Sequence, residues 1–274
     1  MPLTETQKSV AKVLRRHRSE HSYVAGGAAL NRNWPRLSDD MDIFHDIRNR
    51  LPDAVEPELK ALRNAGFTVE LTSENDLTVE AILRKGGEET RVQWFDDEET
   101  CRRFFPALDD PEFGFRLHDA DMAVNKVLCA ARRNTAARDA VDLVNIVERY
   151  AALGALVWAV SGKAPDMAPP ATLRGIRANA FGYAREEIET VRMEDGSRMA
   201  WERLRGVLDR ALETASDYCE NTASVNHPGC LFVDAGEIPV DADAAAIENK
   251  AATVMTVRNF SGIPAIGGNL LKTR

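Results

Sequence analysis

An α+β fold, with a mixed sheet flanked by helices and a mainly helical C-terminal region, is predicted by three features of the sequence. The first 118 residues alternate short strand-like runs with helical segments. From Asp119 onward the periodicity becomes helical. The 274 residues are 44% hydrophobic and 28% charged, which is typical of a globular protein with a sizeable core and excludes a disordered or fibrous chain.

Helices and strands alternate along the first part of the chain. Helices are expected over 6–20, 28–34 and 56–64. Pro35 ends the second of these helices, and Gly66 is a suitable C-terminal cap for the third. Gly86 and Gly87 predict a hairpin turn between the last two strands. Strands are expected over 23–25, 41–44, 67–72, 77–83 and 90–95.

Helices dominate the rest of the chain, where they are expected over 119–133, 137–151, 186–192 and 199–219. Three prolines predict a linker over 164–170. The last fifty residues predict a hairpin over 227–240, a helix over 241–252 and a glycine-rich tail. These patterns divide the chain into an α/β domain (1–118), a helical domain (119–222) and a small C-terminal appendage (223–274).

Charge and composition limit the class of protein. The net charge of −8 argues against a general nucleic-acid coat protein, although an enzyme can still meet nucleic acid through a local basic patch. The longest apolar stretch, 151–160, is far shorter than the roughly 20 residues of a membrane span, and no targeting segment is visible. We expect a cytoplasmic protein whose four cysteines, with no CxxC pair, are reduced core thiols: Cys101, Cys129, Cys219 and Cys230.

A glycine pair separates the first strand-like run of the chain, 23–25, from a helix start. Because Gly26 and Gly27 lack Cβ atoms, the backbone there can come close to a ligand. The amides at the start of the following helix attract phosphate. Taken alone, a glycine pair is more often an ordinary strand-to-helix turn.

Two aspartates stand on the next strand, about fifteen residues later. Asp40 and Asp42 are two residues apart, so on a strand they share a face, with Cα atoms roughly 6.6 Å apart. Such a pair can hold a hard divalent cation such as Mg²⁺, or Mn²⁺. A solvated acidic turn is the alternative, but Met41 and Ile43 favour a buried strand. Glycines for phosphate and carboxylates for metal are the parts of a phosphoryl- or nucleotidyl-transfer site.

These segments resemble the nucleotidyltransferase superfamily, and specifically its abortive-infection toxin type (AbiEii/AbiGii). The resemblance covers about residues 20–150, and the order and spacing of the pieces make it more specific than any piece alone. The matching pieces are GGAAL, RLSDDMD, the lysine of DMAVNKVL and the start of RDAVDLVNI. In this chain they supply Gly26, Gly27, Arg36, Ser38, Asp40, Asp42, Lys126, Arg138, Asp139 and Asp142.

The resemblance implies a role for each of these positions. The triphosphate of an NTP would lie on the glycine turn, with Arg36 and Ser38 helping to bind it. Asp40 and Asp42 would hold Mg²⁺ or Mn²⁺. Lys126 would reach the triphosphate as a cation. Asp139 and Asp142, which share a face of their helix at i and i+3, would orient the lysine or the acceptor.

One position departs from the family pattern. Such enzymes usually carry a third carboxylate on a later strand, and here the corresponding residue is Gln93. An amide oxygen is a poorer Mg²⁺ ligand than a carboxylate and cannot serve as a general base. Glu80 and Asp96 are substitutes by sequence, although the pattern favours a solvated strand face for Glu80.

The leading hypothesis is a Mg²⁺-dependent nucleotidyltransferase that moves a nucleoside monophosphate from an NTP to an acceptor hydroxyl. By resemblance, the acceptor would be RNA, in particular a tRNA end, and the protein would be a toxin paired with an antitoxin. The alternative is a nucleotide-binding or interaction module that is catalytically weak or inactive, as Gln93 would explain. A haloacid-dehalogenase-type phosphatase and a sugar transferase are further alternatives, but Ile43 and Phe44 after Asp42 do not suit the former.

Overall fold

A computed structural model describes residues 3–46, 50–96, 102–132, 136–222 and 228–259. Several predicted features lie outside these ranges: the thiol of Cys101, the first residue of the predicted C-terminal hairpin, and the glycine-rich tail. Among the other cysteines, Cys129 is half-buried and Cys219 and Cys230 are buried, all three as free thiols.

A seven-stranded mixed sheet forms the first part of the protein, in the strand order β3-β4-β5-β2-β1-β8-β7. The central strand β2 runs antiparallel to β1 and parallel to β5. The bounds are β1 Ser22–Ala25, β2 Asp40–His45, β3 Thr68–Glu74, β4 Thr78–Lys85, β5 Glu88–Phe95, β6 Arg102–Arg103, β7 Leu108–Asp110 and β8 Gly114–Arg116. β6 pairs apart from this sheet with β11 (Arg258–Asn259), and β9 (Cys230–Val233) pairs with β10 (Thr253–Thr256).

The helices cover the sheet and build the second part of the protein. α1 and α3 pack on one sheet face, and the helical layer is held by contacts of α4 with α6 and α7 and of α9 with α5 and α6. The bounds are α1 Glu5–Leu14, α2 Gly26–Leu30, α3 Leu51–Asn64, α4 Asp119–Arg132, α5 Ala137–Arg149, α6 Leu153–Lys163, α7 Pro169–Ala180, α8 Arg185–Glu189, α9 Trp201–Asp217 and α10 Ala244–Glu248.

Side-chain alternation along β2 decides which face of the sheet carries polar groups. Met41 and Ile43 are fully buried on the face that α1 and α3 cover. Asp42 and Phe44 alternate with them and are half-buried on the opposite face. The two aspartates of β2, Asp40 and Asp42, therefore lie on the sheet face opposite to α1 and α3.

The predicted fold class is confirmed, with corrections to individual elements. The first helix ends at Leu14 rather than at residue 20, and α3 begins at Leu51 rather than at 56. The predicted linker at 164–170 is shorter, because Pro169 begins α7, where a proline loses no helical hydrogen bond. The apolar run before it is the buried helix α6, which the sequence reading did not assign.

The predicted C-terminal hairpin over 227–240 is present as a short antiparallel return rather than as two regular strands. Val233 and Pro239 form a single bridge, which is flanked by backbone hydrogen bonds from Val240 N–H to the Phe232 carbonyl and from Asp234 N–H to the Ile238 carbonyl, each 3.0 Å long. β9 also pairs with β10, which follows α10. Of the described helices, none has both the length and the apolar composition to cross a membrane.

A buried ion pair ties α3 to the sheet and to the segment that follows α1. Glu58 contacts the guanidinium of Arg18, and both side chains are almost fully buried. Its other oxygen accepts a hydrogen bond from the indole Nε1 of Trp94 on β5 at 2.8 Å. Since isolated buried charges are costly, each partner depends on the other.

We expect Glu58→Gln to lower the free energy of unfolding by about 3–5 kcal/mol, because it leaves the buried Arg18 without a counter-charge. Glu56→Gln on the same helix is the matched control, since Glu56 is exposed and contacts only the exposed Arg63 among the described ion pairs. That control should change stability by less than about 1 kcal/mol. Urea denaturation of both variants measures the difference, and equal losses would contradict this account of Glu58.

Candidate active site

A cleft of about 720 Å³ opens between the polar face of the sheet and the helices α4, α5 and α8. It contains most of the residues that the sequence singles out. Those on its wall are Gly26, Gly27, Arg36, Asp40, Asp42, Lys126, Arg138 and Asp139. Ser38 and Asp142 are buried and lie behind this wall, in contact with Asp40 and Arg36 respectively. The fold thus brings together all ten residues of the matching pieces from four separate segments.

The first glycine of the pair allows the carboxylate of Asp42 to approach the backbone. Ala25 and Asp42 are directly paired in the register of β1 and β2. Gly26 follows with a φ of +64°, a left-handed conformation that favours glycine. A Cβ at this position would overlap the carboxylate of Asp42. Gly26 is therefore required by the aspartate as well as by its own backbone conformation.

The second glycine leaves room for a different pair of side chains. A Cβ on Gly27 would lie 2.7 Å from the hydroxyl oxygen of Ser38 and would collide with the guanidinium of Arg36. Both neighbours are almost fully buried. Gly27 thus allows the RLSD segment to pack directly against the start of α2.

Asp40 is oriented from two sides. The hydroxyl of Ser38 donates a hydrogen bond to its Oδ1 at 3.0 Å. Arg138, at the start of α5, places a guanidinium nitrogen 3.2 Å from its Oδ2. Asp40 is 6% exposed, whereas the Arg138 side chain is 42% exposed. Arg138 is therefore the partner that is free to move when something else binds the carboxylate.

The ionised form of Asp42 is disfavoured by burial and by the neighbouring charge of Asp40. Burial, and then the negative charge of Asp40, raise the pKa of Asp42 to about 7. Lys126, Arg138 and Arg36 act in the opposite direction but do not cancel these effects. Near neutral pH, Asp42 is therefore present both as the neutral acid and as a carboxylate whose negative charge is not fully balanced by nearby cations.

Asp142 is the centre of a buried network behind the cleft. It accepts hydrogen bonds from Arg36 Nε at 2.5 Å and Nη2 at 3.1 Å, and from Asn31 Nδ2 at 2.9 Å. Its Oδ2 is 3.0 Å from the ammonium of Lys126. Burial alone would raise the pKa of Asp142, but Arg36 and Lys126 outweigh it and hold the pKa at about 2. Asp142 therefore stays ionised and holds α5 to α4 and to the segment that follows α2.

Lys126 is held at the wall of the cleft by two carboxylates. Its ammonium lies 2.9 Å from Asp139 and 3.0 Å from Asp142. The side chain is only 13% exposed, so it is not the solvated helix lysine that its helix position alone would favour. Arg138 and Asp139, which could have formed a surface pair, instead contact Asp40 and Lys126 respectively.

Gln93 occupies the place next to Asp42 that the sequence assigns to it. The two residues are directly paired across the parallel strands β2 and β5, while Val92 and Trp94 are fully buried on the other face. Gln93 Nε2 donates to Glu80 Oε2 at 2.6 Å. Glu80 is half-buried in this contact rather than fully solvated, so that expectation is corrected. Neither Glu80 nor Asp96 lies on the cleft wall.

The residues present suit a divalent cation that is shared with a substrate. Within the ranges described above, no three His, Cys, Asp or Glu side chains form a metal-binding group. Mg²⁺ is often held by one or two carboxylates together with substrate phosphates, and Asp40 and Asp42 provide such a pair. The raised pKa of Asp42 supports this fit, because a cation would supply the missing positive charge.

Several residues around the cleft were not singled out by the sequence reading. Asn31, which binds Asp142, gives no signal, because its role depends on a residue more than a hundred positions away. Asp39 forms an exposed ion pair with Arg192, which follows α8. Phe44 and Phe95 also lie on the cleft wall. The sequence could have predicted Phe44 and Phe95 on this wall, because they stand two residues after Asp42 and Gln93 respectively.

Comparisons with known proteins concern the fold. No family model matches the sequence, and no curated protein matches it. Among solved structures, the fold is similar to one described as the crystal structure of a "putative nucleotidyltransferase from H. pylori". The TM-score is 0.51, the sequence identity is 14%, and the match covers 80% of this chain and 94% of that chain. The shared feature is an α+β architecture in which the mixed sheet is followed by a mainly helical segment.

We expect Gly26→Ala to lower both the stability of the protein and its affinity for Mg²⁺. Gly86, in the β4–β5 turn, has almost the same φ of +63° but open space around its Cβ position, so Gly86→Ala is the matched control. The control should lose about 1 kcal/mol of stability and keep its Mg²⁺ affinity. Gly26→Ala should in addition displace Asp42 and weaken Mg²⁺ binding by about 10- to 100-fold in calorimetric titration. Equal behaviour of the two variants would contradict the close approach of Gly26 and Asp42.

The pKa of Asp42 predicts that Mg²⁺ binding depends on pH. An acid with a raised pKa holds its proton up to about pH 7, and a metal ion must displace that proton. Below pH 7 the apparent Mg²⁺ affinity should therefore fall by about tenfold for each pH unit, and above pH 7 it should level off. Titrations between pH 5.5 and 8.5 measure this. An affinity that does not change between pH 5.5 and 7 would contradict it.

Proposed function

We propose that this protein is a metal-dependent nucleotidyltransferase, which moves a nucleoside monophosphate from an NTP to an acceptor hydroxyl as pyrophosphate leaves. The observation that carries this proposal is the placement of Asp40 and Asp42 side by side on β2, directly at the Gly26–Gly27 turn. The cleft that they face is large enough for a nucleotide and also carries Lys126.

The two aspartates would form the metal site. Asp40 and Asp42 would hold Mg²⁺ or Mn²⁺, which neutralises triphosphate charge and polarises the phosphoryl oxygens when bound. Ser38 keeps Asp40 in position through its 3.0 Å hydrogen bond. Arg138 contacts Asp40 through an exposed side chain, so it is able to exchange this carboxylate for a phosphate oxygen of the substrate.

The remaining predicted residues would bind and orient the triphosphate. Backbone N–H groups at Gly26 and Gly27 would contact phosphate oxygens, and Lys126 would stabilise the charge on the leaving pyrophosphate. Asp139 and Asp142 contact the ammonium of Lys126 and so act by positioning it. Arg36 is a positioning residue of the same kind, since its guanidinium is bound to Asp142 and is 1% exposed.

The nature of the acceptor and the biological role follow from the sequence resemblance. We propose that the acceptor is RNA, in particular a tRNA end, and that the protein acts in the cytoplasm as a toxin that is countered by an antitoxin protein. The GGAAL and RLSDDMD segments and the later lysine and RDxxD pieces support this reading. The similarity of the fold to a structure described as a "putative nucleotidyltransferase" supports the transfer reaction itself.

A second candidate is a nucleotide-binding or interaction module of the same fold with weak or no catalysis. The observation that favours it is Gln93, which stands beside Asp42 where a third carboxylate is expected and whose amide is bound to Glu80. In this candidate the cleft would bind an NTP and Mg²⁺ without transfer. NTP binding without product formation, across RNA and small-molecule acceptors, would favour this module over the enzyme.

Removal of one carboxylate tests the enzyme directly. We expect Asp40→Asn to lower the incorporation of labelled nucleotide into total RNA by at least about 100-fold, because it removes charge from the metal site but keeps the shape of the side chain. The assay presents each labelled NTP in turn with Mg²⁺. The melting temperature of the variant should stay at or above that of the wild type, since like-charge repulsion with Asp42 is relieved.

Asp76→Asn is the matched control for this experiment. Asp76 is exposed at the β3–β4 turn, where it contacts Arg50 at 2.9 Å, and it lies away from the cleft wall. The control should incorporate nucleotide at the wild-type rate. Wild-type incorporation by Asp40→Asn would refute the assignment of Asp40.

A further inference from the structure

One face of α4 lines the cleft. Met122, Asn125, Cys129 and Arg132 all lie on the cleft wall, and their spacing of three, four and three residues is that of a single helix face. Asn125 is half-buried on this face. Its uncharged amide carries two N–H donors and one carbonyl oxygen. What this amide can bind in the cleft depends on which of its two ends faces the open space.

A buried ammonium fixes the orientation of the amide. Asn125 Oδ1 accepts a hydrogen bond from Lys163 Nζ at 2.8 Å. Because an ammonium has donors but no acceptor, the amide has to turn its carbonyl oxygen toward Lys163 and its NH₂ group away from it. The Lys163 side chain is 1% exposed, and its Nζ lies 2.6 Å from Oδ1 of Asp121. The orientation of Asn125 is therefore set by a buried ion pair.

That ion pair is itself held in place. The carboxylate of Asp121 is fully buried and accepts hydrogen bonds from the backbone N–H groups of Phe104 at 2.9 Å and Phe105 at 3.0 Å. These donors and the ammonium together replace the water that the carboxylate has lost. Lys163 ends α6 and Asp121 lies in the first turn of α4, so the pair also joins the two helices. The support of Asn125 is thus separate from the proposed metal site.

The NH₂ group of Asn125 is open to a ligand. Among the described residues, none accepts a hydrogen bond from Asn125 Nδ2. This nitrogen is also not enclosed by protein, in contrast to Nδ2 of Asn145 on α5, which is buried without a partner. Because Asn125 belongs to the cleft wall, it presents a hydrogen-bond donor of fixed orientation to whatever occupies the cleft.

We propose that Asn125 binds the nucleoside part of the NTP by donating a hydrogen bond from Nδ2 to an uncharged oxygen, either a sugar hydroxyl oxygen or a base carbonyl. This inference rests on the proposed function, which places the phosphates at the Gly26–Gly27 turn and Lys126. Lys126 is the next residue of α4, so its side chain leaves the helix about 100° away, toward its contacts on α5. The ammonium thus meets the charged phosphates, and the neutral amide meets the adjoining uncharged part of the same ligand.

The test compares a ligand that has a nucleoside with one that has none. Binding of a non-hydrolysable NTP and of inorganic tripolyphosphate, each with Mg²⁺, is measured by calorimetry for the wild type and for Asn125→Ala. We expect Asn125→Ala to weaken NTP binding about 3- to 10-fold, the loss that one uncharged hydrogen bond gives. The affinity for tripolyphosphate should be unchanged. An equal loss for both ligands would overturn the proposal.

Asn125→Asp separates the donor from the contact with Lys163. The aspartate keeps the size of the side chain and an oxygen for Lys163, but it has no N–H to donate. Its negative charge repels the phosphates of both ligands, and tripolyphosphate measures that part of the loss. We expect the NTP to lose about 3- to 10-fold more affinity than tripolyphosphate does. If both ligands lose the same, Asn125 serves only to hold Lys163 and the proposal is overturned.

Asn179→Ala is the matched control. Asn179 is a half-buried asparagine of α7 that lies off the cleft wall. Its Nδ2 donates to the carbonyl oxygens of Ala130 and Ala131 near the end of α4, at 2.9 and 3.0 Å. The control should lower the melting temperature and leave both affinities at their wild-type values. A selective loss of NTP affinity here too would mean that destabilising α4 is sufficient, and would overturn the assignment of Asn125.

Further ligands identify the oxygen. If it belongs to a sugar hydroxyl, the 2′-deoxy or the 3′-deoxy analogue should bind equally to the wild type and to Asn125→Ala. If it is a base carbonyl, the difference between the two proteins should be absent for the ATP analogue, because adenine has no carbonyl group. A difference that persists with both deoxy analogues and with ATP would overturn the assignment to an uncharged oxygen.

Failure of this inference is distinguishable from failure of the proposed function. If NTP binding depends on Asn125 but no nucleotide enters RNA, the inference stands and the transfer reaction fails. If nucleotide is incorporated and both Asn125 variants bind the NTP as tightly as the wild type, the inference fails and the reaction stands. If the wild type binds neither the NTP nor tripolyphosphate, both fail.

Discussion

The structure around the cleft depends on one electrostatic constraint, the burial of neighbouring carboxylates on and beside a single strand. Burying a carboxylate is costly unless positive charge or hydrogen bonds replace its water. In the group of charges that interact at the cleft, four carboxylates meet three cations, so one negative charge is left over. The group consists of Asp40, Asp42, Asp139 and Asp142 with Arg36, Lys126 and Arg138.

The cations are distributed unequally among these carboxylates. The fully buried Asp142 forms ion pairs with both Arg36 and Lys126, and these cations hold its pKa at about 2. Asp42 receives only distant compensation, so burial and Asp40 raise its pKa to about 7. The same cluster therefore contains a permanent structural anion and an anion that lacks a counter-charge. The first fixes the helices in place, and the second faces the cleft where a cation can enter.

Which side chains share a face of a strand could be predicted from the sequence, because this depends only on neighbouring residues. The shared face of Asp40 and Asp42 follows from the two-residue period of a strand. The position of Gln93 beside Asp42 followed from the alternation of Val92 and Trp94 toward the core. The same alternation, extended by two residues, would have placed Phe44 and Phe95 on the cleft face. In contrast, α6 was missed because its uniformly apolar sequence has no helical periodicity to detect.

By itself, the sequence determined the fold class, the polar face of β2 and the need for small residues at the glycine turn, because backbone geometry and local periodicity carry that information. Only the tertiary structure decided which carboxylate pairs with which cation. Arg36 and Asp142 are 106 positions apart, and Arg138 contacts Asp40 rather than its neighbour Asp139. Such pairings depend on how α2, α4 and α5 pack against the sheet, and no local pattern in the chain encodes those distances.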